Sequence, residues 1–418
     1  FKVILKTWPV MKKIIVYFLM LLVFPASLLS QIVVSGSTGA DGTYTSLTNA
    51  GGAFPAINVS AQTGKTIVVT ITGSSVSESG INSLSAGTWN SISLYPTGSG
   101  YTISGSVAGP LINFNGADNV TIDGSVNASG VAKDLTIMNT NTGATAAIST
   151  IRFINDATNN TIKNCLLKGS ETSASSGIIF FSTTTGTTGN DNNTLDNNNI
   201  TGSSDANRPL NAIYSLGTLN KANSDNVIRN NWIYDFLNKG LSSNGISLSS
   251  NSTTWTITGN SFFETTSFVP VASGSYSIIL VNNASGIGFT VSGNFIGGSS
   301  SSCGGSAWTK NNNFNNVFVG INLVAGTGTA TEIQNNTIQK IAWSNSLAAG
   351  WTGISVVGGT VNVGTSSGNT IGATTGTGSV TVTGGALGMN VSGIYFTVTG
   401  PGDWRNNNIC SISTATEC

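Results

Sequence analysis

The chain has 418 residues, 52 of them Gly and 49 Asn, and it contains no His. Only 8% of it is charged, against about a quarter in an ordinary soluble domain, and the missing imidazole excludes Ser/His/Asp catalysis and His-ligated zinc. After Ser30 the balance is 12 basic residues (16 less Lys2, Lys6, Lys12 and Lys13) against 16 acidic, or −4, which provides no footprint for nucleic acid or for anionic lipid.

At the N-terminus, Met11-Lys12-Lys13 precedes an apolar run from Ile14 to Phe24, then Pro25 and the small residues Ala26-Ser27. A short basic segment, a run too short for a comfortable membrane span and a small residue before Gln31 describe a secretory signal peptide over residues 1–30. Translation is expected to start at Met11. No Cys follows the apolar run, so a lipid anchor is not indicated. Residues 31–65 are expected to form a cap: Leu47, Ala50, Phe54 and Ile57 fall at roughly helical spacing, ahead of a strand at Thr66–Ile71. Gly51, Gly52 and Pro55 weaken that helix. Four Cys (165, 303, 410 and 418) are too few for a disulfide framework, although Cys410 and Cys418 are close enough in sequence to pair.

From residue 66 to 412 the chain repeats itself. One unit is a small residue, Ile, any residue and an apolar one, as in Gly245-Ile246-Ser247-Leu248, Gly320-Ile321-Asn322-Leu323 and Gly353-Ile354-Ser355-Val356. Aligning Ile178, Ile213, Ile246, Ile278, Ile321, Ile354 and Ile394 gives spacings of 32 to 43 residues. Between these units lies a second pattern in which an apolar residue, a spacer and Asn precede another apolar residue. Examples are Ile162-Lys163-Asn164-Cys165-Leu166, Ile228-Arg229-Asn230-Asn231-Trp232-Ile233 and Val291-Ser292-Gly293-Asn294-Phe295-Ile296. Strands this short cannot bury a face alone, but stacked copies can. The expectation is an all-β chain forming a single-stranded parallel β-helix of about nine or more coils, with the seven aligned Ile in one interior column. Asn tolerates the left-handed bends and can stack from coil to coil as an amide ladder. Residues 413–418 are expected to be a truncated end.

The alternation of Ile-x-x-Asn-x-Ile and Gly-Ile-x-Leu units resembles the right-handed β-helix of the pectin-lyase-like superfamily, and more narrowly the Asn/Gly/Thr-rich secreted β-helix proteins of Bacteroidetes-type bacteria. That resemblance covers about residues 40–412 and implies the fold; its members range from lyases and hydrolases to adhesins, so it does not imply one activity. Its lyases use carboxylates with Ca²⁺ and a Lys or Arg base, and its hydrolases use several Asp with a nearby His, which is absent here.

Aligning Ile162, Leu195 and Ile228 places Lys163, Asp196 and Arg229 at one outward position of three successive coils. Lys163 or Arg229 could act there as base or carboxylate clamp, with Asp196 orienting them and Trp232 stacking on a sugar ring. The plainer reading is a plus-minus-plus set of charges pairing across adjacent strands. Trp232, Tyr214, Phe295 and Tyr395 fall on outward positions, and Trp232, Arg229 and Tyr214 are the candidate ligand-binding residues. Asp118 and Asp123 read as bend residues capping backbone groups. The Thr183–Thr185 and Thr187–Thr188 clusters do not recur as a flat array, which argues against ice binding.

The sequence therefore leads to the expectation of a secreted or cell-surface bacterial protein, a structural or adhesive module that binds extracellular polysaccharide or surface glycan and performs no catalysis. The alternative is a lyase acting on an acidic glycan. No cofactor, metal, nucleic acid or membrane span after signal removal is expected, and the chain is expected to be a monomer.

Overall fold

The computed structural model describes residues 31–416 apart from 377–378, 386–387 and 398–399. The signal peptide expected at 1–30 and the partner proposed for Cys410, Cys418, lie outside the described residues. Successive strands of the chain enter three long sheets in turn, and each return places a new strand one position further along. The sheets contain 13, 11 and 10 strands, and from the strand Thr66–Ile71 onward their ladders are parallel. This is a parallel β-helix. Its second sheet counts eleven coils, which at about 4.8 Å per coil make a rod about 50 Å long.

The third sheet stacks the interior Ile column, Ile112, Ile151, Ile179, Ile213, Ile246, Ile279, Ile321, Ile354 and Ile394 in register. Two members differ from the sequence expectation, since Ile179 and Ile279 stand where Ile178 and Ile278 were expected. Both residues of each pair are buried. Ile178 and Ile278 occupy the position that Ala212, Gly245, Gly320 and Gly353 fill in other coils, where the register skips a residue. The same slip places Phe180 and Leu280 in the outward column of Tyr214.

The bend from the first sheet to the second is built from two adjacent residues. The first takes a left-handed conformation: Asn197 at φ 53°, Asn230 at φ 56° and Asn335 at φ 53°, with Gly259 and Gly293 serving in coils that lack Asn there. Asn reaches this region more readily than other side-chain-bearing residues. The second points inward and carries the ladder. Asn198, Asn231, Asn260, Asn294, Asn336, Asn369 and Asn407 each pass an amide hydrogen bond to the next at 2.8–3.0 Å. Each of these side-chain oxygens except that of Asn198 also accepts the backbone N–H of the preceding Asn in the ladder, as Asn260 does from Asn231 at 3.0 Å. The Asn198 oxygen takes the Cys165 N–H. A second ladder joins Asn160, Asn193 and Asn226. The buried amides of the ladders are thereby satisfied from coil to coil.

At the N-terminal end, Ile32–Ser35 pairs antiparallel with Gly42–Tyr44 and with Thr66–Ile71, covering the edge of the first sheet. The cap helix α1, Ala53–Val59, starts later than its apolar spacing suggested, because Gly51 turns at φ 75° and ends the preceding segment. It buries Ala53, Phe54 and Ile57. In the later coils an extra fourth sheet of four strands appears, Trp308–Lys310, Ile341–Asn345, Val380–Gly384 and Ile412–Thr416. No helix among the described residues is long and apolar enough to cross a membrane.

Candidate functional site

Lys163, Asp196 and Arg229 do share one outward column of the first sheet. The column starts one coil earlier, at Asp123, and that changes its electrostatics. Lys163 pairs with Asp123 at 3.0 Å, and Arg229 with Asp196 at 2.9 Å. The expected plus-minus-plus trio is therefore three members of a four-member alternation that closes into two separate ion pairs. Asp123 is also a bend cap, accepting from Ser125 N–H at 3.0 Å, Ser125 Oγ at 2.7 Å and Asn164 Nδ2 at 2.9 Å. Burial pushes its carboxyl up, but the hydrogen bonds from Asn164 and Ser125, with Lys163 added, outweigh that and hold it below the usual range. With each cation held by its own carboxylate, neither Lys163 nor Arg229 is presented as a free base.

The aromatic candidates separate. Tyr214 lies on the third sheet, only 7% exposed and 5.7 Å from the Phe180 ring, so it offers little surface to a ligand. Trp232 lies on the second sheet and is 43% exposed. Its ring meets Phe263 edge-on at 6.5 Å, and Phe263 stacks on Tyr234 at 5.1 Å. The Lys133 ammonium sits 5.4 Å from the centroid of the Trp232 ring, held by Asn197 Oδ1 at 3.1 Å. Strand register explains the grouping: Asn199 and Trp232 form one outward column, and Lys168, Thr201, Tyr234 and Phe263 form the next. Phe295 continues the first of these beyond Ser261.

Where this face bends toward the third sheet, it borders a cleft of about 290 Å³. Lys168, Thr201, Asp205, Arg208, Tyr234 and Asp235 are among its lining residues. The floor is a charge cluster built around the buried pair of Arg208 and Glu264. Arg208 bridges both Glu264 oxygens at 2.7 and 2.9 Å and reaches Asp205 at 2.8 Å and Asp235 at 3.8 Å. Lys239 closes on Asp205 at 2.5 Å. Burial pushes the Glu264 carboxyl up to about 8 against the pull of Arg208, while its three carboxylate neighbours together raise Arg208 despite burial. A buried pair is useful mainly for fixing geometry, and here it pins the loop Asp205–Arg208 beside the strand ends.

Sequence reasoning missed this cluster because Arg208 arrives from a loop that belongs to no repeat unit. A partial signal existed: Asp235 and Glu264 directly follow the aligned strands Trp232–Tyr234 and Ser261–Phe263. No group of three or more His, Cys, Asp or Glu is arranged to hold a metal among the described residues. Comparison with protein-family models, with curated proteins and with solved structures finds no match to this chain.

Proposed function

We propose that this chain is a secreted or cell-surface β-helix of the kind its repeats resemble, and that it holds a polysaccharide against the outer face of its second sheet without transforming it. The observation that carries this reading is the exposed Trp232 and half-buried Tyr234, backed by the buried Phe263 ring, adjoining the hydroxyl-lined cleft beside Thr201. Sugar rings present an apolar face that stacks on aromatic rings and hydroxyls that bond to polar side chains. A rigid rod with coil-spaced side chains suits an extended polymer better than a small ligand.

The charges favour a neutral glycan. Arg208, Lys239, Lys163 and Arg229 are each engaged by a carboxylate, leaving Lys168 in the cleft and Lys133 beside Trp232 as cations of this face with no ion pair among the described residues. A lyase would need a base and a strong carboxylate clamp at one point, and the paired columns supply neither. The test is retention of the purified chain in gels containing neutral or acidic polysaccharides, with and without Ca²⁺, alongside an assay for unsaturated product. Retention by neutral polymers with no product supports the proposal. Retention by acidic polymers alone, or appearance of product, overturns it.

A further inference from the structure

The fourth sheet contains a lysine with no charged partner. The strand Trp308–Lys310 pairs parallel with Ile341–Asn345 of the next coil, Lys310 opposite Trp343, and Lys310 is fully buried. Its Nζ lies 2.5 Å from the Phe314 carbonyl oxygen, 2.6 Å from the Ser344 carbonyl oxygen and 3.0 Å from Asn345 Oδ1. The Trp343 ring centroid is 5.8 Å away, and no carboxylate pairs with Lys310 among the described residues. Burial pushes its amine down to about 8, so about a tenth is uncharged near pH 7. The ammonium donates to all three oxygens. An uncharged amine has two N–H groups, which the two backbone carbonyls accept, so that the bond to Asn345 Oδ1 is given up and the lone pair turns to the third neighbour. That neighbour is the carboxamide of Asn345, whose orientation is fixed from both sides. The Asn316 backbone N–H donates to Oδ1 at 2.9 Å, and Nδ2 donates to the Ala349 carbonyl at 3.1 Å.

We propose that Lys310 and Asn345 react to form an intramolecular amide cross-link between adjacent coils. The Lys310 Nζ lone pair attacks Asn345 Cγ, and the carbonyl electron pair moves onto Oδ1, where the Asn316 N–H stabilises it. The pair then returns, the bond from Cγ to Nδ2 breaks, and Nδ2 leaves as ammonia with the proton released by the attacking nitrogen. One C–N bond forms and one breaks, with no oxidant or other reactant. Folding holds the two groups in contact, which replaces a bimolecular encounter by an intramolecular one of very high effective concentration. The product also removes an unpaired buried charge, a costly group in an apolar interior.

The experiment is peptide mapping of the full purified chain after incubation at pH 7 and pH 9. The cross-link shows as a branched peptide pair joining the segments that contain Lys310 and Asn345, lighter than the two linear peptides by one ammonia, about 17 Da. It should accumulate faster at pH 9 and be absent from Lys310→Arg and Asn345→Ala. Loss of ammonia elsewhere, as by cyclisation of an N-terminal Gln31, does not produce a branched peptide. If either variant fails to fold, the wild-type map alone decides: only linear peptides after prolonged incubation at pH 9 would overturn the proposal.

Discussion

Asn260 shows how one residue type holds this rod together. Its oxygen accepts the Asn231 backbone N–H and Nδ2, and its own Nδ2 donates to the Ile228 carbonyl and to Asn294. Asn260→Ala strands those groups in a dry interior, where each orphan costs about 1–3 kcal/mol. The expected loss in a urea unfolding series is about 2–5 kcal/mol, against a few tenths for Asn230→Ala at the exposed neighbouring bend apart from its left-handed strain. Much at this scale was legible in the sequence. Adjacent Asn-Asn or Gly-Asn pairs mark the bend and the ladder in order, the first residue for its φ and the second for its amide. The Ile178 and Ile278 assignments slipped by one because two successive Ile satisfy an alternating pattern equally well, and only the strand register distinguishes them.

Elements matter most in the outward columns, where neighbouring strands present one side chain per coil. Asp196→Asn and Arg229→Ala remove a pair whose arginine is half exposed, so each should change stability by less than about 1 kcal/mol and leave glycan retention intact. Loss of retention with unchanged melting in either variant would restore these residues as a binding site. Acids in the bends between the second and third sheets set the pH response. Glu171 is fully buried and held well above its ordinary range by desolvation, and Glu264 reaches about 8 for the same reason. A carboxyl whose folded pKa is raised stabilises the fold while both states are protonated, and that stabilisation is lost as pH climbs from the unfolded value of 4.5 through the folded one. The melting midpoint should therefore fall between about pH 5 and pH 8, and Glu171→Gln should flatten that slope. A midpoint that rises across this window would contradict the assignment. The charge column could be read from the aligned Ile162, Leu195 and Ile228; Asp123 escaped because its coil carries Gly124 where the others carry Asn. The Arg208 cluster escaped for a different reason, since a loop residue has no repeat against which to be aligned.

The whole molecule behaves as a stack in which each coil touches its two neighbours. Removing residues 213–245, one full turn by the Ile213 to Ile246 register, rejoins equivalent positions and should leave a cooperative fold. Removing half that length should not, because every downstream inward side chain loses its column. Circular dichroism melting of the two deletions separates these outcomes. The same stacking aligns Trp232, Tyr234 and Phe263 beside the Arg208 cleft, and glycan binding on that face is the central claim. The most direct test is equilibrium binding of neutral oligosaccharides of increasing length to the full chain and to Trp232→Ala. The expected result is affinity that grows with oligosaccharide length in the wild type and falls at least tenfold in Trp232→Ala while melting is unchanged. Equal affinity in the two proteins, or binding independent of length, would contradict it.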